Sequence, residues 1–301
     1  PKSDDDKKYY EYGLKRFLDE ARILAKFKER SIVRVSRFLE KNGTAYLIMD
    51  YEDGESLAEY LQKAGVLNEQ EILDIMLPIL EGLSAVHAKD FLHRDIKPGN
   101  IYLRKKGAPV LLDFGAARQA LGEQTRALTS MVTPGYAPFE QYNSHTKQGP
   151  WTDLYAIGAT LYHCVAGHAP AESSDRIAAL QEQEPDPMKP AAVAGQGRYR
   201  PEFLAVIDWM LAPLAKDRPQ AIDAVLMRLK PLGKAPVTGP RDSGFTKTRI
   251  AGATVPAAVA PAHSLTSGAR PPVPTHRCVG AAPGAGRTHV TRCRGVGKPG
   301  M

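Results

Sequence analysis

His93-Arg94-Asp95-Ile96-Lys97-Pro98-Gly99-Asn100 is the stretch that decides the reading of this 301-residue chain. It gathers a carboxylate, two cations, an amide and a Pro-Gly turn into eight positions. An apolar segment ends just before it, near His87-Ala88-Lys89-Asp90, and Ile101-Tyr102-Leu103 follows as a short strand. The stretch is therefore a loop between a helix and a strand, a place where functional groups stand on rigid support. Its residue types suit phosphoryl transfer, which needs an acceptor hydroxyl held in line and cations offsetting charge. Asp95 is suited to accept the hydroxyl proton, Lys97 to steady the moving phosphate and Asn100 to hold a metal. The order follows the H-R-D-x-x-x-x-N pattern, with Ile96 where Leu is usual. A mixed polar loop can also be a solvated turn, so partners elsewhere in the chain must decide.

Working outward, Asp113-Phe114-Gly115 follows the apolar strand Val110-Leu111-Leu112, which puts a carboxylate at a strand end. Residues 101–103 and 110–112 read as a hairpin around Lys105-Lys106-Gly107. Residues 116–135 are rich in Ser and Thr and lack periodicity, so they form a long ordered or switchable loop. Gly135-Tyr136-Ala137-Pro138-Phe139-Glu140 closes that loop. Trp151-Thr152-Asp153-Leu154-Tyr155-Ala156-Ile157-Gly158 then opens a helix, apolar on nearly all sides over residues 153–165 and hence buried. Residues 182–200 are irregular, and residues 203–214 and 221–229 are closing helices, with Pro219 near the start of the second.

Upstream, Leu14, Phe17, Leu18, Ala21, Leu24, Ala25 and Phe27 recur at helical spacing and predict an amphipathic helix to about Arg30. Residues 32–39 and 44–50 are β-rich, and Asn42-Gly43 between them is a strong hairpin turn. Ser56 caps a short helix through Ala64. Asn68 with Glu71 three residues later forms a capping box. It opens a long apolar helix through Val86, in which Pro78 predicts a kink or local break. His87, near the end of that helix, is read as packing or capping rather than as a ligand.

Composition narrows the classes. A 43% hydrophobic chain buries a substantial core, and no run of 18 apolar residues predicts a membrane span. Cys164, Cys278 and Cys293 are widely spaced and form no CxxC pair. That fits a reducing, cytoplasmic setting. The net charge of +7 is not spread over the chain: residues 231–301 hold ten Lys and Arg against one acid, Asp242, so residues 1–230 are slightly acidic. Nucleic-acid binding needs basic residues clustered on a folded face and is not expected. From Pro231 onward Pro, Gly, Ala and Thr dominate without period, which predicts a disordered basic tail over residues 231–301.

Taken together, these motifs resemble the protein kinase superfamily, particularly bacterial Ser/Thr kinases of eukaryotic type, from about Tyr10 to Leu229. The resemblance implies an α+β fold with a mostly helical C-lobe. The N-lobe would be truncated to one helix and a β-hairpin. Its divisions would be a polar segment at residues 1–9, a partial N-lobe at 10–52 and a C-lobe at 53–230. It implies transfer of the ATP γ-phosphate to protein Ser/Thr hydroxyls, with ATP and Mg²⁺ as cofactors. Asp95, Lys97 and Asn100 would be catalytic, and Asn100 and Asp113 the metal ligands. Glu20, read from spacing alone as a surface charge, matches the glutamate that pairs with the ATP-positioning lysine. Met49-Asp50-Tyr51 matches the gatekeeper and hinge, and Lys97, Asn100 and Asp113 complete the nucleotide contacts. Thr133 resembles the threonine that shapes the acceptor pocket. Asp153 resembles the aspartate that braces the catalytic loop, and Glu140 and Arg218 resemble the buried ion pair of the C-lobe. Thr125, Thr129 and Ser130 are candidate autophosphorylation sites, with Arg94 as the cation to pair with a phosphate there.

Two departures stand out. The family's A-P-E reads Pro138-Phe139-Glu140, and no G-x-G-x-x-G or V-A-I-K-like strand precedes Glu20. The expectation is a fragment of an active kinase, since Asp95, Lys97, Asn100 and Asp113 are all present. The alternative is a catalytically inactive, pseudokinase-like interaction module.

Overall fold

The structure is a computed structural model. It describes the backbone of residues 4–114, 132–142, 146–234 and 288–292, and their side chains except at 4–9, 16, 20, 23, 234 and 288–292. Gly115, Thr125, Thr129 and Ser130 lie outside these residues, as does the Glu20 side chain.

Helix α1 spans Asp4–Leu24. The polar start expected at residues 1–9 is thus helical from Asp4. The helix also stops short of the expected Arg30, and Phe27 N–H turns back onto the Leu24 carbonyl. Leu18, Ala21 and Leu24 form its buried stripe. Strands β1 (Val35–Lys41) and β2 (Thr44–Asp50) pair antiparallel. Both turn residues, Asn42 (φ 55°) and Gly43 (φ 66°), are left-handed, as a two-residue hairpin requires. The Tyr10 hydroxyl donates to the Gly43 carbonyl at 2.7 Å and ties α1 to this turn.

A second sheet joins β3 (Gly54–Ser56), β4 (Ile101–Arg104) and β5 (Val110–Leu111) in that order. Gly54 is obligatory here, because a Cβ at this position would lie 1.9 Å from the Leu103 carbonyl oxygen. Gly54→Ala is expected to cost about 1–3 kcal/mol through the backbone shift it forces. Urea unfolding measures this, and an unchanged midpoint would show that the strand yields freely.

Ser56 and Glu59 form a capping box on α2 (Leu57–Ala64), and Asn68 and Glu71 form another on α3 (Glu69–His87). α3 runs unbroken through Pro78, where a kink or a local break is expected. Its buried stripe, from Ile72 to Val86, holds the segment helical against the loss of one backbone bond. α4 (Pro150–Ala166) is the central helix, with Leu154, Tyr155, Ile157 and Leu161 wholly buried. Burying each such large apolar side chain contributes about 1.5–3 kcal/mol. α4 packs on α6 (Ala191–Ala194) and α7 (Pro201–Met210), and α3 packs on α8 (Ile222–Leu229). α5 (Ser173–Glu182) was not legible in the sequence, since its apolar face is narrow and its anchor is a charge. Its Arg176 is 3% exposed, bonded to Asp186, the Tyr155 hydroxyl and the Leu211 carbonyl.

The expectation of a wholly disordered tail is corrected at Thr288–Arg292, which forms strand β6 and pairs antiparallel with β2. The physical reason is an edge. β2 has one flank bonded to β1, and its other flank offers unpaired backbone groups that a β-rich Thr-His-Val-Thr-Arg segment satisfies. Among the described residues no helix is long and apolar enough to cross a membrane.

Candidate active site

The loop of residues 93–100 is held from below by one carboxylate. Asp153, fully buried on α4, accepts the backbone N–H of His93 and of Arg94, each at 2.8 Å, and the His87 Nε2–H at 2.7 Å. Arg94 has φ 68°, a left-handed conformation that costs of order 1–3 kcal/mol in a residue with a Cβ. The two N–H bonds to Asp153 hold that conformation. Gln141 adds a bond from Nε2 to the Arg94 carbonyl at 2.8 Å. His87 thus does more than pack, and Gln141 carries no sequence signal that marks it.

His93 is buried and has a defined tautomer. Its Nε2 meets the Leu112 carbonyl at 2.8 Å, so Nε2 carries the proton, and Nδ1 accepts the Asp95 N–H at 3.2 Å. Only a neutral ring satisfies both. Burial pushes the His93 pKa below its ordinary 6.5, against the opposing pull of Asp153 and the Leu112 carbonyl. Burial alone would instead raise Asp153. The hydrogen bonds from His87 and from the Arg94 N–H overcome it and hold the carboxyl below its ordinary 3.8. Both groups bind fewer protons folded than unfolded, so both contribute stability that is lost as pH falls. Stability is expected to decline first as pH drops below 6.5 and again below 3.8. Unfolding free energies from pH 8 to pH 3 measure this. His93→Gln should remove the upper decline, and a profile flat across pH 6.5 in the unmodified protein would contradict the assignment.

Above this base the chemical groups converge. Lys97 Nζ donates to Asp95 Oδ1 at 2.9 Å, to Oδ2 at 3.0 Å and to the Thr133 hydroxyl at 2.9 Å. The Thr133 hydroxyl in turn donates to Asp95 Oδ1 at 2.9 Å. Asn100 Nδ2 donates to the Asp95 carbonyl at 2.7 Å and to Asp95 Oδ2 at 3.0 Å. Asp95 and Asn100 are both buried, at 8% and 7% exposure, so the carboxylate is aimed by three side chains in a largely dry setting. Such preorganisation strengthens electrostatic contacts where charge develops.

Asp113 is exposed and left-handed at φ 46°. Its neighbour Phe114 is buried, with its ring 4.3 Å from the His93 ring and 5.8 Å from that of Phe91. The Phe114 anchor keeps Asp113 beside the loop, close enough for its charge to bear on His93. With both N–H groups of Asn100 committed to Asp95, its carboxamide oxygen is the donor atom left for a cation. An amide oxygen with one exposed carboxylate suits Mg²⁺, which binds through few protein oxygens and shares its remaining positions with water and substrate phosphates. No cluster of three or more His, Cys, Asp or Glu that could hold a metal occurs among the described residues.

The remaining candidates lie at the end of β2, just after it, and on α1. Met49 is buried at the end of β2, and Tyr51 is 44% exposed. Asp50 accepts from the Ser36 hydroxyl, and its N–H bonds the Arg34 carbonyl at 3.1 Å. Glu52, just beyond, forms a two-point ion pair with Arg104 on β4. Glu20 lies on α1.

Known proteins similar to this chain are kinases. The protein kinase domain family model matches residues 1–228. The chain is 37% identical over 172 residues to a serine/threonine-protein kinase PknA of Nostoc sp., covering 54% of this chain and 30% of that relative. It is 33% identical over 193 residues to drp72, a serine/threonine-protein kinase of Corynebacterium efficiens, covering 62% of this chain and 37% of that relative. A solved structure described as PpkA-294 apo form matches with a TM-score of 0.64 and 35% identity, covering 76% of this chain and 78% of that one. The chain spans about a third of the length of these curated relatives.

Proposed function

The chain belongs to the protein kinase domain family, and from that premise we propose that it transfers the γ-phosphoryl group of ATP to serine or threonine hydroxyls of proteins. The observation that carries this reading is the Asp95 carboxylate, buried and aimed by Lys97, Asn100 and Thr133. The Thr133 hydroxyl bonded to Asp95 Oδ1 illustrates the contact an acceptor hydroxyl would make. In the proposed reaction Asp95 orients that hydroxyl and takes its proton. Lys97, fixed on Asp95, presents its charge to the transferred phosphoryl group. Asn100 and Asp113 would hold Mg²⁺, which supplies charge neutralisation on the phosphates when bound. Glu20, Met49, Asp50 and Tyr51 are proposed on the nucleotide side. Residues 10–52 would form the smaller lobe and 53–230 the larger.

The test is phosphate incorporation from Mg-ATP labelled at the γ position, into the chain itself and into a generic Ser/Thr protein substrate. Incorporation confined to Ser and Thr is expected. Incorporation that Asp95→Asn leaves unchanged would overturn the reading, and a form of the protein carrying a Gly-rich loop and an ATP-positioning lysine ahead of Glu20 that neither incorporates phosphate nor shifts its unfolding temperature with Mg-ATP would leave a non-catalytic interaction module in its place.

A further inference from the structure

The two flanks of the first sheet are built differently. The outer strand β1 carries Arg37, Glu40 and Lys41, and its ladder is irregular between Val35 and Arg37, as at a bulge. Charges and bulges are two ways in which an edge strand is kept from pairing with another chain. β2 has neither safeguard. Thr44-Ala45-Tyr46-Leu47-Ile48-Met49-Asp50 holds no Pro and no Gly, and one charge, at its last residue. A strand of that composition adds readily to a copy of itself. The backbone groups on its second flank are identifiable. The Asp50 N–H bonds the Arg34 carbonyl, on the β1 side. Backbone groups alternate sides along a strand, so those of Ala45, Leu47 and Met49 face away from β1.

β6 covers that flank. Leu47 stands opposite Thr291 and Met49 opposite His289, so the backbone groups of these four residues face one another. β6 is five residues long and ends on Arg292, a short charged strand of the sort that discourages further pairing. Residues 235–287, rich in Pro, Gly and Ala, join it to the preceding helices. A linker of about fifty residues keeps its far end at an effective concentration of order mM. That holds a short strand in place against free chains at micromolar concentration without making its pairing permanent. With β6 released, the same flank is self-complementary. Two copies of β2 related by a two-fold axis at Leu47 would set Leu47 opposite Leu47, Ala45 opposite Met49 and Tyr46 opposite Ile48. Asp50 would stand opposite Thr44, so no like charges meet.

We propose that Thr288–Arg292 is a guard on the β2 edge, and that its release turns this edge into a self-association surface for β2 of a second copy of the chain. No group of the catalytic loop takes part, so the guard acts whatever reaction the chain performs. The test compares the full chain with its His289→Pro/Thr291→Pro variant, which lacks the two N–H groups that face β2 in this register. Amide hydrogen exchange reads the edge, and light scattering reads the mass over a range of chain concentrations. In the unmodified chain the Leu47 and Met49 amides are expected to exchange slowly and the mass to be that of one chain. In the dilute variant both amides should exchange about tenfold faster or more. As its concentration rises, the mass should climb toward two chains. A synthetic peptide of residues 287–292, added at about 1 mM, should return the variant to one chain and restore slow exchange. Fast exchange of both amides in the unmodified chain would remove the guard. A variant that stays a single chain at every concentration, or a dimer that the peptide leaves intact, would remove the β2 pairing. An unmodified chain that dimerises as readily as the variant would remove both.

Discussion

Asp95→Asn is expected to lower phosphoryl transfer by about 10²–10⁴-fold, the range that a positioned general base supplies. The substitution keeps the shape of the side chain and one oxygen but removes the charge that receives the proton. It also weakens the grip on Lys97, whose ammonium lies within 3.0 Å of both Asp95 oxygens. The loss should fall on kcat with little change in the KM for ATP, because the proposed acceptor lies on the side of Asp95 that the Thr133 hydroxyl bonds. Thr133→Ala should cost less, since it removes an orienting hydroxyl and leaves the base in place. Steady-state kinetics at several ATP and peptide concentrations separate these effects. An Asp95→Asn protein that retains transfer within tenfold of the unmodified chain would remove Asp95 from the chemistry.

Glu140→Ala is expected to destabilise the larger lobe by about 3–5 kcal/mol. Arg218 has a side-chain exposure of 0%, and its Nη1 meets Glu140 Oε1 at 2.7 Å. It also donates to the carbonyls of Ala212 and Pro213 and lies over the Tyr155 ring at 4.6 Å. Removing the carboxylate leaves that guanidinium buried without its counter-charge, and the Thr152 hydroxyl loses its acceptor as well. Typical domain stabilities are about 5–15 kcal/mol, so this one change would consume a large fraction. The double variant Glu140→Leu with Arg218→Met should be less destabilised than either single variant, since it strands no charge. Urea unfolding of the four proteins decides. Additive losses would show that the two groups act independently.

The elements that the chain announced in advance share one property: their signals are local. Asn42-Gly43 specifies its own left-handed turn, and Ser56 and the Asn68–Glu71 pair cap the helices that follow them. The burial of α4 follows from a run apolar on every side. The elements that it left unread or open depend on something distant. Thr288–Arg292 becomes a strand because β2 presents an edge more than two hundred residues earlier. α5 stays in place through a buried arginine that reaches Asp186 and Leu211. Pro78 is accommodated because the packing of α3 outweighs one missing backbone bond.

The candidate site divides in the same way. Order and spacing in residues 93–100, with Asp113 downstream, pointed to the chemistry proposed for the loop, and the resemblance they carry named Asp153 as its brace and Glu140 with Arg218 as a buried ion pair. Sequence could not supply the tautomer of His93, the bond from Gln141 to Arg94, or the meeting of Tyr136 with His163 beside Lys97. These depend on atoms brought within 3 Å across tens of residues of chain, and on burial that removes water and so decides which groups remain charged. A hydrogen-bonding pattern within one turn is written in neighbouring residues. The partner and charge state of a buried side chain exist only once the whole core has closed around it.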